Sequence, residues 1–165
     1  MPREPKADFL AILRALTRHQ VDFIVVGGVC AVLHGAPLST FDLDLVHSRD
    51  PDNIHRLLAA LETMHAYYRI QPEKKIRPDM SHLSSPGHQL LMTPFGPLDL
   101  LGVIGESRGY EDLLGHTVEM QLGRGVKARL LNLDTLIQIK EETAGEKDKA
   151  ILPLLRRTLE EQSPR

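Results

Sequence analysis

The chain has 165 residues, 42% hydrophobic content and a formal net charge of −2, which suits one globular domain with one sizeable core and requires no second domain. A balance this close to neutral, with no long basic run, excludes a general nucleic-acid surface or a membrane-binding face as the basis of function, while leaving a specific RNA acceptor open. The single cysteine, Cys30, excludes an internal disulfide and a Cys-x-x-Cys metal site and fits a reducing compartment.

The first residues, Met-Pro-Arg-Glu-Pro-Lys, carry no apolar signal region, and no apolar run is long enough to span a bilayer, so a cytoplasmic protein without a membrane segment is expected. Residues 6–19 set Phe9, Ile12, Leu13 and Leu16 at helical spacing, which predicts a first amphipathic helix. Residues 21–26 form an apolar, β-branched run that breaks at Gly27 and Gly28, the pattern of a buried strand ending where backbone without side chains can turn close to a ligand. Residues 29–33 predict a short helix, stopped by Gly35 and Pro37. The next strand, residues 41–46, alternates with period 2, placing Phe41, Leu43 and Leu45 on the core face and Asp42 and Asp44 together on the other.

Two like charges side by side on a strand drawn into the core destabilise it unless something cationic compensates. Hard carboxylate oxygens on neighbouring outward positions suit magnesium or manganese, which also take substrate phosphates. The Gly27-Gly28 turn offers room for those phosphates. A dinucleotide-type Gly-x-Gly-x-x-Gly and a Gly-Lys-Ser/Thr phosphate loop are both absent, which removes two competing nucleotide folds.

Further along, Asp50 and Pro51 predict a helix start, followed by a buried stripe of Ile54, Leu57, Leu58, Leu61 and Met64. Residues 71–87, polar and holding Pro72, Pro78 and Pro86, read mostly as loop; Lys74, Lys75 and Arg77 within it either hold an anionic acceptor or are simply solvated. His88–Thr93 and residues 97–103 flank Pro94-Phe95-Gly96 as a hairpin, with Asp99 facing away from Leu98 and Leu100 and thus able to join Asp42 and Asp44. Residues 110–114 predict a short helix, residues 117–122 pair with Val126–Leu131, and Asn132 caps a helix over Leu133–Glu142. Pro153 is expected to divide the last helical segment or to start a new turn after Leu152. The eight histidines form no zinc motif, and Cys30 reads as core packing.

Gly27-Gly28, thirteen residues, and then Asp42-Leu43-Asp44-Leu45 resembles the signature of the nucleotidyltransferase superfamily with the DNA polymerase β-like palm, above all its minimal and abortive-infection toxin-type bacterial members. Leu98-Asp99-Leu100 stands where the third acidic residue is expected, and Leu136-Ile137-Gln138-Ile139-Lys140 followed by Lys147-Asp148 is similar to the C-terminal pattern of those members. The sequence departs from the pattern at Leu38 and Gly145, where members often carry arginine. The resemblance implies an α+β fold, a mixed sheet covered by helices with a short C-terminal helical segment. It also implies transfer of a nucleoside monophosphate from a nucleoside triphosphate to a hydroxyl acceptor, which is a protein, an RNA end or a small molecule. Asp42, Asp44 and Asp99 would be the catalytic residues and hold Mg2+ or Mn2+; Gly27, Gly28, Ser39, Thr40, Lys140 and Lys147 would bind the nucleotide. Two alternatives remain: a degenerate nucleotide-binding protein or toxin–antitoxin partner, and a metal-dependent phosphohydrolase using the same carboxylates.

Overall fold

The computed structural model describes residues 7–143 and 145–162, and of residues 146–148 the backbone alone. It is an α+β structure built on a seven-stranded mixed sheet of order β3-β4-β5-β2-β1-β7-β6. The strands are β1 (Phe23–Val26), β2 (Leu43–His47), β3 (Tyr67–Tyr68), β4 (His88–Thr93), β5 (Gly96–Leu101), β6 (Thr117–Gly123) and β7 (Val126–Leu131). Two parallel contacts, β2 with β5 and β1 with β7, join otherwise antiparallel neighbours. Because β1, β2 and β5 are interior strands, their apolar runs are covered on both sides: Ile24, Val25, Leu43, Leu45, Val46, Leu98 and Leu100 are all fully buried.

Helix α1 (Phe9–Arg18) starts where the Asp8 carboxylate accepts from Ala11 N at 3.1 Å, and buries Ile12, Leu13 and Leu16. The strand β1 runs directly into α2 (Gly27–Leu33) with no intervening loop. α3 (Pro51–Thr63) opens as its sequence predicts, with Pro51 in the first turn and Asp50 accepting from Asp52 N. It packs on α1 and on α4 (Met80–Ser84). The face of the sheet that carries Leu43, Leu45 and His47 lies beneath this group, since His47 Nε2 meets the carbonyl of Leu83 in α4 at 2.8 Å. On the opposite face, α6 (Leu133–Glu142) packs on α2 and on α7 (Glu146–Gln162). The short helix α5 (Tyr110–Leu113) leads into the β6–β7 hairpin. Among the described residues no helix is long and apolar enough to cross a membrane.

Some expectations need correction. Phe41 is 79% exposed rather than on the core face, because pairing of β2 begins at Leu43 and the period-2 argument has no strand to act on before it. Residues 71–87 are mostly loop, as expected, but a 3-10 turn at Pro72–Lys74 and the helix α4 lie within them. Asp79 caps α4 by accepting from His82 N, and the His82 ring accepts from Asp79 N. Pro153 sits inside α7 without dividing it, and that helix is the longest described, not a short segment. Buried Leu152 and Leu155 anchor it on both sides of the proline, so packing offsets the one lost backbone hydrogen bond.

Candidate active site

Strand β2 presents Asp44 on the face opposite Leu43 and Leu45, and the parallel register places it directly across from Asp99 of β5. Asp42 precedes β2 on the same side and is partly exposed, whereas Asp99 is only 8% exposed. The structure thus brings the three aspartates to one region of the sheet. Burial comes first among the causes that push the Asp44 carboxyl up to about 7, followed by the charge of Asp99, a hydrogen bond between the two carboxyls and the charge of Asp42; Lys140 on α6 acts in the opposite direction. The Asp44 carboxyl accordingly holds its proton to a higher pH than an ordinary carboxylate does.

Both glycines meet this group. Gly27 adopts a left-handed conformation, φ +68°, and a Cβ there would stand 2.3 Å from Asp44 Oδ2; a Cβ on Gly28 would stand 2.7 Å from Thr40 Oγ1. The turn therefore has no side chain because backbone passes directly beside the carboxylate and the hydroxyl. Thr40 Oγ1 donates to the carbonyl of Asp42 at 3.3 Å, so it steadies the segment entering the site, while Ser39 is exposed beside it. Lys140 is half-buried in the last turn of α6 with its charge bearing on Asp44. The side chain of Lys147 lies outside the described residues. Leu38, one of the two departures from arginine, is half-buried against the core, and Gly145 is exposed with open space around it.

Arg69 is the residue that sequence reasoning missed. It follows the two-residue strand β3, its backbone N–H donates to Leu90 O at 3.1 Å, and Nη1 donates to Asp99 Oδ1 at 2.5 Å and to Leu91 O at 3.0 Å. Nη2 lies 3.8 Å from Asp42 Oδ2. One guanidinium therefore bridges the first and third aspartates and fixes the orientation of Asp99. No local pattern singles it out: Tyr67-Tyr68-Arg69 stands between a helix and a proline-rich stretch without a detectable period.

The donor set is chemically suited to a hard cation: three carboxylates, and beside Asp44 a glycine whose missing Cβ leaves space. Among the described residues no group of three or more His, Cys, Asp or Glu side chains converges on a single metal position. Asp99 Oδ1 and Asp42 Oδ2 face the Arg69 guanidinium instead.

No protein-family model matches the sequence, and no curated protein matches it. Solved structures do. The lincomycin-bound lincosamide antibiotic adenylyltransferase LnuA superposes with a TM-score of 0.63 at 12% identity, covering 94% of this chain and 99% of that one. A Thermotoga maritima protein assigned as a nucleotidyltransferase gives 0.57 at 18% identity, covering 93% and 91%. The chain has the nucleotidyltransferase fold. The antibiotic-resistance factor ANT(2'')-Ia is also similar, with a TM-score of 0.57 at 17% identity over 92% of this chain and 82% of that one. At these identities the nucleotidyltransferase fold is the extent of the likeness, and the toxin-type subclass is not reached by it.

Proposed function

We propose that the protein transfers a nucleoside monophosphate from a nucleoside triphosphate to a hydroxyl acceptor and releases pyrophosphate. The observation that carries this reading is the register of Asp44 against Asp99, with Asp42 alongside and the Gly27-Gly28 backbone facing them. In the reaction the acceptor oxygen bonds to the α-phosphorus, the bond from that phosphorus to the bridging oxygen breaks, and pyrophosphate leaves with the electron pair. Asp99, held by Arg69 at the end of the trio nearest the open sheet edge, takes the acceptor proton. The backbone at Gly27 and Gly28, with Ser39 and Thr40, positions the triphosphate, while Lys140 and Lys147 add positive charge from the C-terminal helices. Asp42, Asp44 and Asp99 would hold Mg2+ or Mn2+, which when bound neutralises charge on the phosphates and carboxylates.

The deciding experiment incubates the protein with magnesium, each α-labelled triphosphate and a cell extract, and follows both label and pyrophosphate. Label entering one acceptor with stoichiometric pyrophosphate supports the proposal, and Asp44→Asn should lower the rate about a hundredfold or more while remaining folded. Release of inorganic phosphate without pyrophosphate would make the protein a phosphohydrolase. Triphosphate binding without turnover would make it a nucleotide-binding or toxin–antitoxin partner protein.

A further inference from the structure

On the face of the sheet that carries Asp44 and Asp99, residues opposite one another in register point the same way. Asp99 is paired with Leu90, and Tyr68 with Leu91, so Leu90 and Arg69 continue the row that begins at Asp44 and Asp99. One step along the strands, Pro97, Met92 and Tyr67 form a second row. Leu90, Met92, Pro97, Tyr67 and Arg69 are all half-buried, in contrast to the fully covered residues behind them. Leu90, Met92, Pro97 and Tyr67 make an apolar floor from the carboxylates to the edge strand β3, about 10 Å away by two strand spacings, and the Arg69 side chain crosses it to reach Asp99.

At the far end of this floor is a cavity of about 450 Å³ lined by His65, Tyr67, Lys75, Arg77, Thr93 and Pro94. Lys75 Nζ stands 4.0 Å over the ring of Tyr67. The turn that puts it there is strained: Gln71 and Lys75, flanking Pro72–Lys74, both have positive φ, 59° and 49°. Non-glycine residues hold that conformation only where their surroundings enforce it, and such strain gathers at ligand sites. The loop is tied back to β3 by the Tyr68 N–H, which donates to Ile76 O at 2.8 Å. Among the described residues neither Lys75 nor Arg77 has a carboxylate partner. Two cations thus line a cavity without an anion of their own, Lys75 seated on the Tyr67 ring, at the end of a floor that leads to Asp99.

We infer that this cavity is the anion-binding end of the acceptor site, where Lys75 and Arg77 hold the phosphate of a small phosphorylated alcohol whose hydroxyl reaches along the floor to Asp99. A small molecule fits better than an RNA strand because Lys75 covers the Tyr67 ring face that a base would stack on, and because the net charge of −2 offers no wider basic track. The role as acceptor site rests on the transferase reading above; anion binding by the cavity does not.

The test separates the two. Inorganic phosphate titrated into the full chain, followed by amide NMR, should give saturable shifts at Tyr67, Lys75 and Arg77. The doubly substituted Lys75→Gln, Arg77→Gln protein, whose changes are at exposed positions, should bind at least tenfold more weakly with an unchanged melt. Absent shifts, or unchanged affinity in that variant, overturn the anion site. With glucose 6-phosphate and adenosine 5′-monophosphate as acceptors, label from a triphosphate should enter a phosphorylated compound in preference to glucose or adenosine, and the same variant should raise the acceptor KM at least tenfold without changing the triphosphate KM. Phosphate binding with no transfer to any acceptor retains the anion site and overturns its acceptor role together with the transferase reading. Equal labelling of neutral compounds, or tenfold tighter binding of a 5′-phosphorylated RNA hexamer than of the small phosphates, overturns the small phosphorylated acceptor.

Discussion

Asp44 and Asp99 stand directly opposite each other in the parallel register of β2 and β5, and their carboxyls share a hydrogen bond. The Asp44 carboxyl, pushed up to about 7 first by burial and then by the neighbouring acids, binds its proton more tightly in the folded chain than in the unfolded one. Between the ordinary carboxylate value of about 4 and about 7 the folded state therefore holds the extra proton, and each pH unit across that window removes about 1.4 kcal/mol of stability. Asp44→Asn should consequently be more stable than wild type above pH 7 in metal-free buffer, and the difference should vanish as pH falls to about 4. Urea unfolding across that range checks the prediction; a variant less stable than wild type at pH 8 would falsify the repulsion argument.

Arg69 is tied to the same pair through Asp99. Removing its side chain leaves a nearly buried carboxylate and the Leu91 carbonyl without their donor, so Arg69→Ala should cost about 1–3 kcal/mol. Asp99→Asn in the same chain should return part of that loss, because the charge that needed the guanidinium is then gone. Additive losses in a double-mutant cycle would show that the two side chains do not act together.

Gly27→Ala meets two obstacles. The left-handed backbone alone costs an alanine about 1–2 kcal/mol, and its Cβ would press on Asp44 Oδ2. Combining it with Asp44→Ala should relieve the contact but not the backbone strain, so the double variant should be intermediate in stability. Chemical denaturation of the three proteins measures this, and a Gly27→Ala protein as stable as wild type would contradict the described turn.

Cys30 should be inert. Its thiol is fully buried and donates to Leu131 O at 3.3 Å, and burial, the dominant cause, pushes it up to about 12. Iodoacetamide at pH 8 should leave the native protein unlabelled and modify it fully in denaturant; rapid native labelling would place Cys30 at the surface instead.

Asp42 and Asp44 were legible because one short segment contains both their chemistry and the alternation that suggests how they face. Asp99 was half legible: the hairpin predicts which way it faces, but its position opposite Asp44 depends on a parallel pairing between strands more than fifty residues apart, which no local pattern encodes. Arg69 was not legible at all, since a strand of two residues has no period to detect and the arginine acquires its meaning only from β4 and β5 beside it. Phe41 misled because alternation was extended past the point where β2 has a partner. Pro153 misled for the opposite reason: local backbone chemistry argues for a break, and buried leucines on both sides of it prevail.

The strand order also bears on how the chain can be assembled. Five adjacent strands, β3-β4-β5-β2-β1, come from one continuous stretch ending at Leu101, and that stretch contains all three aspartates, Arg69 and both glycines. The other side of β1 is closed only by β7, through the parallel pairing of Ile24 with Arg129 and Val25 with Leu130. During synthesis the acidic cluster can therefore form while the most apolar strand of the sheet still presents an open hydrogen-bonding edge, and it stays open until another thirty residues have emerged. An unprotected edge of this kind recruits other chains. Docking of the β6–β7 hairpin, rather than formation of the acidic site, is then the step that closes this edge.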